Sequence, residues 1–168
     1  MQFSTVRAVV GWAFQMSEAV PVKVQRFGEA LPRGVSELTP SEQKDMAVDI
    51  LAKLARLPEL EYAAIAAHVT WDQRAINVAA KALPHTWPTG LRRELARGWA
   101  TEKGLVRSQE EIGETYLRSQ PTVCRCWDET RHTLNRHYRN GLSVIEIQVL
   151  DLLDFYSRRN AHRARVSA

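Results

Sequence analysis

The chain has 168 residues, 45% hydrophobic and 25% charged: enough apolar material for a core, and too much for a disordered chain. Its longest apolar runs, such as Ala63-Ala64-Ile65-Ala66-Ala67, fall far short of the roughly 20 residues that a membrane-spanning helix needs. Cys124 and Cys126 are the only cysteines, and one intervening residue places them poorly for bridging, which excludes a disulfide framework; Met1 to Arg7 also lacks the pattern of a secretory leader, so a reducing cytoplasm is expected.

The net charge is +4, and its placement is uneven. Residues 1–117 carry 14 Lys/Arg against 14 Asp/Glu, whereas residues 118–168 carry 9 Arg, no Lys and 5 acids. The whole excess therefore lies in the last third as arginine. Its planar guanidinium can donate two parallel hydrogen bonds to a phosphate or a base edge. A solvated basic tail would give the same count.

Residues 3–19 predict an amphipathic helix, with Phe3, Val6, Val10, Ala13 and Phe14 at helical spacing. Pro21, Gly28, Pro32, Gly34 and Pro40 make residues 20–40 a long irregular loop, in which Val20 to Val24 is the single weak strand candidate. Thr39-Pro40-Ser41-Glu42 is a capping box with proline in the first turn, opening a helix to about Leu57 that buries Met46, Ile50, Leu51, Leu54 and Leu57. Pro58 opens the next helix, over residues 59–70. Asp72 caps another, through Leu83. Pro84 and Pro88 bracket a turn, and Leu91, Leu95 and Trp99 mark a helix that Gly104 ends.

The most specific stretch is residues 108–125. Ser108 and Glu111 form a second capping box. Ile112 and Tyr116 lie four apart on one face, and Gly113 is small where backbones must approach. Ser119 caps a second helix, Pro121 sits in its first turn, and Val123 points back to lock that helix onto the first. Arg118, Gln120, Thr122 and Arg125 remain on the outer face. The pattern resembles a DNA-binding helix-turn-helix, with Ile112, Tyr116 and Val123 as its core. Leu117 stands where such turns commonly hold glycine, Arg118 where they commonly hold an apolar residue, and Cys126 where a larger aliphatic is usual. The resemblance implies that Arg118, Ser119, Gln120, Thr122, Arg125 and Arg131 meet duplex DNA, with Gln suited to adenine, Arg to guanine and the helix N-terminus to phosphate.

Helix formers continue through Trp127, Arg131, Leu134 and Tyr138 to Asn140-Gly141, a helix stop. Ser143-Val144-Ile145-Glu146 then reads as a third capping box. The helix it opens carries Ile145, Val149, Leu152, Leu153 and Tyr156 on one face and ends at Arg158-Arg159. That stripe packs on the body or pairs two subunits. Residues 160–168 read as a basic tail. The whole is an all-α helical bundle, with a body over 1–106 and a DNA-binding region with its packing helix over 107–159.

Cys124, Cys126, His132 and His137 lack the spacing of a zinc finger, and on one helix residues 124 and 126 point about 200° apart. One cysteine in the core and one near the surface is the expected arrangement. His68 and His85 are isolated, and Asp45 and Asp49 form an ordinary acid pair on one helix face. There is no glycine-rich phosphate loop and no nucleophile motif, so no metal, no cofactor and no catalytic residue is expected. Trp12, Trp71, Trp87, Trp99 and Trp127 are spread along the chain as core or interface anchors.

The layout as a whole resembles phage late-gene transcription antiterminators of the Q type. The resemblance is carried by a tryptophan-containing first helix, Val6 to Met16 around Trp12, then an irregular segment. The stretch Leu57-Pro58-Glu59-Leu60-Glu61-Tyr62-Ala63-Ala64-Ile65 follows, and the helix-turn-helix lies near the end. It implies a protein of the bacterial host cytoplasm that binds a promoter-proximal DNA site through residues 108–138. Residues 1–106 would contact paused RNA polymerase, which then ignores pauses and terminators. Two other readings remain open: a simple repressor or activator, and a phage inhibitor that blocks a host complex with a helical hairpin.

Overall fold

The computed structural model describes residues 3–17, 39–101 and 104–153, and all regular structure among them is helical. In chain order the helices are α1 (Val6–Met16), α2 (Pro40–Leu54), α3 (Glu59–Thr70), α4 (Gln73–Ala79), α5 (Thr89–Ala100), α6 (Gln109–Thr115) and α7 (Gln120–Gln148). Short 3-10 turns follow α4, at Ala80–Ala82, and α7, at Leu150–Leu152. The chain is thus all-α, and no helix among the described residues is long and apolar enough to cross a membrane. The loop and strand candidate expected between 20 and 40 fall largely on residues 18–38, outside the described residues, as do Tyr156, Arg158, Arg159 and the 160–168 tail.

Two compact units form, one from residues 1–56 with 142–168, the other from residues 57–141. In the first, Thr5 Oγ1 caps α1 by accepting from Ala8 N at 3.2 Å. The helix buries Val9, Val10, Trp12, Ala13 and Phe14 and packs against α2. Phe3 does not belong to α1. Its N–H donates to Leu152 O at 2.8 Å and its ring lies 5.5 Å from that of Trp12. The capping box of α2 forms as expected, with Thr39 N bonded to Glu42 Oε2 at 2.7 Å. This helix ends at Leu54, earlier than Leu57, and buries Ala47, Ile50 and Leu54, with Met46 and Leu51 half-buried.

In the second unit α3 is buried on almost every side, because Ala63 to Ala67 leaves no polar face. Asp72 Oδ2 caps α4 by accepting from Ala75 N at 3.0 Å. His68 stacks on Trp99 at 5.2 Å and meets the edge of Tyr138 at 4.7 Å, while Trp99 Nε1 donates to Asn135 Oδ1 at 3.0 Å. These contacts tie α3, α5 and α7 together.

The stop expected at Asn140-Gly141 does not occur. α7 runs unbroken for 29 residues to Gln148, so no new helix opens at Ser143. Gly141 serves close approach instead: a Cβ there would lie 2.8 Å from Ile65 Cδ1 and 3.2 Å from Glu61 Cβ, so only glycine lets α3 lie this near. Past Gly141, Ile145, Val149 and Leu153 are buried and Leu152 is half-buried.

Candidate nucleic-acid interface

Helices α5, α6 and the start of α7 share one core of Leu91, Leu95, Ile112, Val123 and Cys126, with Trp87, Leu105, Tyr116 and Trp127 packed against it. Ile112 and Val123 are fully buried and Tyr116 is half-buried. The helix-turn-helix therefore rests on α5 as its third helix.

Local chemistry explains the start of α6. Ser108 Oγ accepts from Glu111 N at 3.2 Å, and Glu111 Oε2 accepts from Ser108 N at 2.8 Å. The Ser108 N–H, and after it the Ser108 hydroxyl that donates to the same oxygen at 3.0 Å, hold the Glu111 carboxyl below its ordinary pKa. The helix ends in a Schellman arrangement. Arg118 N–H donates back to Gly113 O at 2.8 Å and Leu117 N–H to Glu114 O at 3.4 Å. Leu117 takes the left-handed φ of 52° that this arrangement needs at the position usually held by glycine. Gly113 is equally constrained, since a Cβ there would lie 2.6 Å from Arg118 O.

A clasp not visible in the sequence fixes the turn on α5. Arg107 donates to both Glu94 oxygens, at 2.8 and 2.6 Å, and from Nη1 to Thr115 Oγ1 at 2.8 Å. Tyr116 Oη donates to the same carboxylate at 3.1 Å. The Arg107 bonds hold Glu94 below the ordinary carboxylate pKa, against the opposing effect of its partial burial. The Tyr116 phenol is pushed up, first by burial and then by its bond to Glu94. Arg107 and Glu94 are 13 residues apart and Tyr116 and Glu94 are 22 apart, beyond any local spacing rule.

Past the turn, Ser119 O accepts from Thr122 N at 2.9 Å and from Val123 N at 3.1 Å, opening α7 with Pro121 in its first turn. The Ser119 hydroxyl meets the Thr122 hydroxyl at 2.9 Å, and Arg125 Nη2 reaches Thr122 Oγ1 in a long contact of 3.5 Å. Ser119, Thr122 and Arg125 thus form a polar line at spacing three. Arg118, Ser119, Gln120 and Arg125 are exposed, and Thr122 is half-buried. Together they make one hydrogen-bonding, positively charged end at the N-terminus of α7.

Arg131 is not part of that cluster. It lies about 9 Å beyond Arg125 along the helix axis and pairs loosely with Asp128, at 4.0 Å. Cys124 is exposed and Cys126 buried, as the helical spacing predicts, and burial pushes the Cys126 thiol up. Among the described residues no three His, Cys, Asp or Glu side chains are grouped closely enough to hold a metal ion. No family model, curated protein or solved structure matches the chain.

Proposed function

We propose that the chain is a sequence-specific, duplex-DNA-binding transcription regulator that reads a major groove with the N-terminal end of α7. The observation that carries this reading is a three-helix core supporting a short α6, a left-handed turn at Leu117, and an α7 whose exposed first turns present Arg118, Ser119, Gln120, Thr122 and Arg125. A packing hairpin has no need of such a polar, cationic end. Gln120 and Arg125 are the base-reading candidates; Arg118, Ser119 and Thr122 suit phosphate. Arg131 is assigned to the backbone further along the groove.

Within that class, the chain layout supports a phage antiterminator of the Q type, acting on RNA polymerase from a promoter-proximal DNA site. The test has two stages. Selection of duplexes from a random pool should yield a defined site, and Arg125→Ala should cost about 1–3 kcal/mol there while relaxing preference at one base pair. Equal loss on selected and random duplexes would make Arg125 a phosphate contact. Terminator read-through with purified polymerase, on templates with and without the site, then separates antitermination from simple repression.

A further inference from the structure

On α5, Arg93 and Arg97 lie on the side turned away from Leu91 and Leu95. They are one helical turn apart, about 6 Å along the axis. Both are exposed. Among the described residues Arg93 has neither a hydrogen-bond nor an ion-pair partner. Arg97 donates to the neutral Gln73 amide oxygen at 2.6 Å. They form one wall of a cleft of about 400 Å³ whose other wall is Val106, Arg107 and Tyr116. Glu94 also lines it, but its carboxylate is already engaged by Arg107 and Tyr116. Three guanidiniums against one carboxylate leave the cleft cationic. Val106, 84% exposed, gives it an uncovered apolar wall.

The position of the cleft decides what can fill it. Leu91 and Leu95 face the shared core, and so do Val123 and Cys126 on α7. Arg125 points out on the far side of α7, and Arg93 points out on the far side of α5. On the function proposed above, a duplex lies against the start of α7 and leaves the Arg93–Arg97 cleft open.

We propose that this cleft docks an acidic segment of a partner protein, one presenting two carboxylates about 6 Å apart with an apolar side chain between them. The placement opposite the DNA face rests on the function proposed above. Each carboxylate would take a guanidinium fork, and the apolar side chain would cover Val106 and the Tyr116 ring. Carboxylates one turn apart on a helix, or two residues apart on an extended strand, match the spacing.

The test uses the full chain and a fluorescein-labelled peptide of about 12 residues built from Glu-Leu-Phe-Ala repeats, read by fluorescence polarisation at low salt. The expected Kd is about 10–100 µM, with no binding of the Lys-Leu-Phe-Ala counterpart. Arg93→Glu with Arg97→Glu should weaken the peptide at least about tenfold while duplex affinity stays within about twofold. Protein saturated with duplex should bind the peptide as free protein does. Arg93→Glu alone gives the same direction of change, and it removes a side chain with no partner among the described residues, so loss of fold does not confuse the result. Failure of the wild-type chain to bind the peptide, or equal binding by the double variant, overturns the docking cleft. Loss of duplex affinity in the double variant overturns it too, and assigns this face to DNA. Peptide binding with no duplex binding at all refutes the DNA reading and supports the cleft.

Discussion

Leu117 offers a direct test of the turn. Its φ of 52° places an L-residue with a Cβ in the left-handed region, and its side chain is 92% exposed. The left-handed conformation costs a non-glycine residue about 1–2 kcal/mol. Leu117→Gly removes that strain and gives up almost no buried surface. Glycine also loses more backbone freedom on folding, by roughly 0.5–1 kcal/mol. The net expectation is a gain of about 0.5–1 kcal/mol, or roughly 1–4 °C in Tm for a chain of this size. Leu117→Ala is the control: it keeps the Cβ and the strain, so its stability should stay within about 0.3 kcal/mol of wild type. Urea unfolding followed by tryptophan fluorescence gives both numbers, with Trp127 and Trp87 packed against the affected core. A glycine variant no more stable than the alanine variant would show that the turn carries no left-handed strain, and the Schellman geometry of α6 would have to be abandoned.

Three further outcomes follow from packing and charge. Val123→Asp puts an unpaired carboxylate into the core shared by α5, α6 and α7 and should cost several kcal/mol; a variant that melts like wild type and binds duplex normally would remove the helix-turn-helix reading. Gly141→Ala should destabilise by about 1–2 kcal/mol despite the better helix propensity of alanine, and Ile65→Val, which deletes the Cδ1 methyl, should recover part of that loss; a stabilised Gly141→Ala would mean that α3 does not approach α7 there. Glu42, Glu94 and Glu111 all have folded pKa values below the ordinary 4.5, so the stability they contribute is present above that value and is lost as pH falls through the lowered ones; Tm measured down to pH 3 should fall less steeply in Glu94→Gln than in wild type.

What was legible in the sequence was local. Thr39 with Glu42 and Ser108 with Glu111 are three residues apart, and each pair closes its bonds within one turn whatever surrounds it. The left-handed position at Leu117 was visible as the place where comparable turns hold glycine. Gly141 misled because a glycine that ends a helix and a glycine that admits a neighbouring helix look alike in one dimension. What distinguishes them is Ile65, 76 positions away along the chain. The clasp of Arg107 and Tyr116 on Glu94 was hidden for the same reason, and so was the unneutralised pair Arg93 and Arg97. Neither acquires meaning until α5 is packed and one of its faces is used up.

Charge and packing divide this chain in different places. The arginine excess begins at residue 118, which suggests a basic C-terminal module separate from a neutral body. The packing instead runs from 57 to 141 as one unit and returns residues 142–168 to the unit that holds α1 and α2. A fragment starting at residue 107 would keep Arg118, Gln120 and Arg125 but leave Leu91 and Leu95 behind, and with them one wall of the core that buries Ile112 and Val123. It would also lose Glu94, the anchor for Arg107 and Tyr116. The exposed end of α7 is therefore held in place by residues of the electrically neutral part of the chain. In the proposed reading the arginines would supply the attraction for duplex DNA, and α5 would supply the rigidity that turns attraction into readout of a particular base pair.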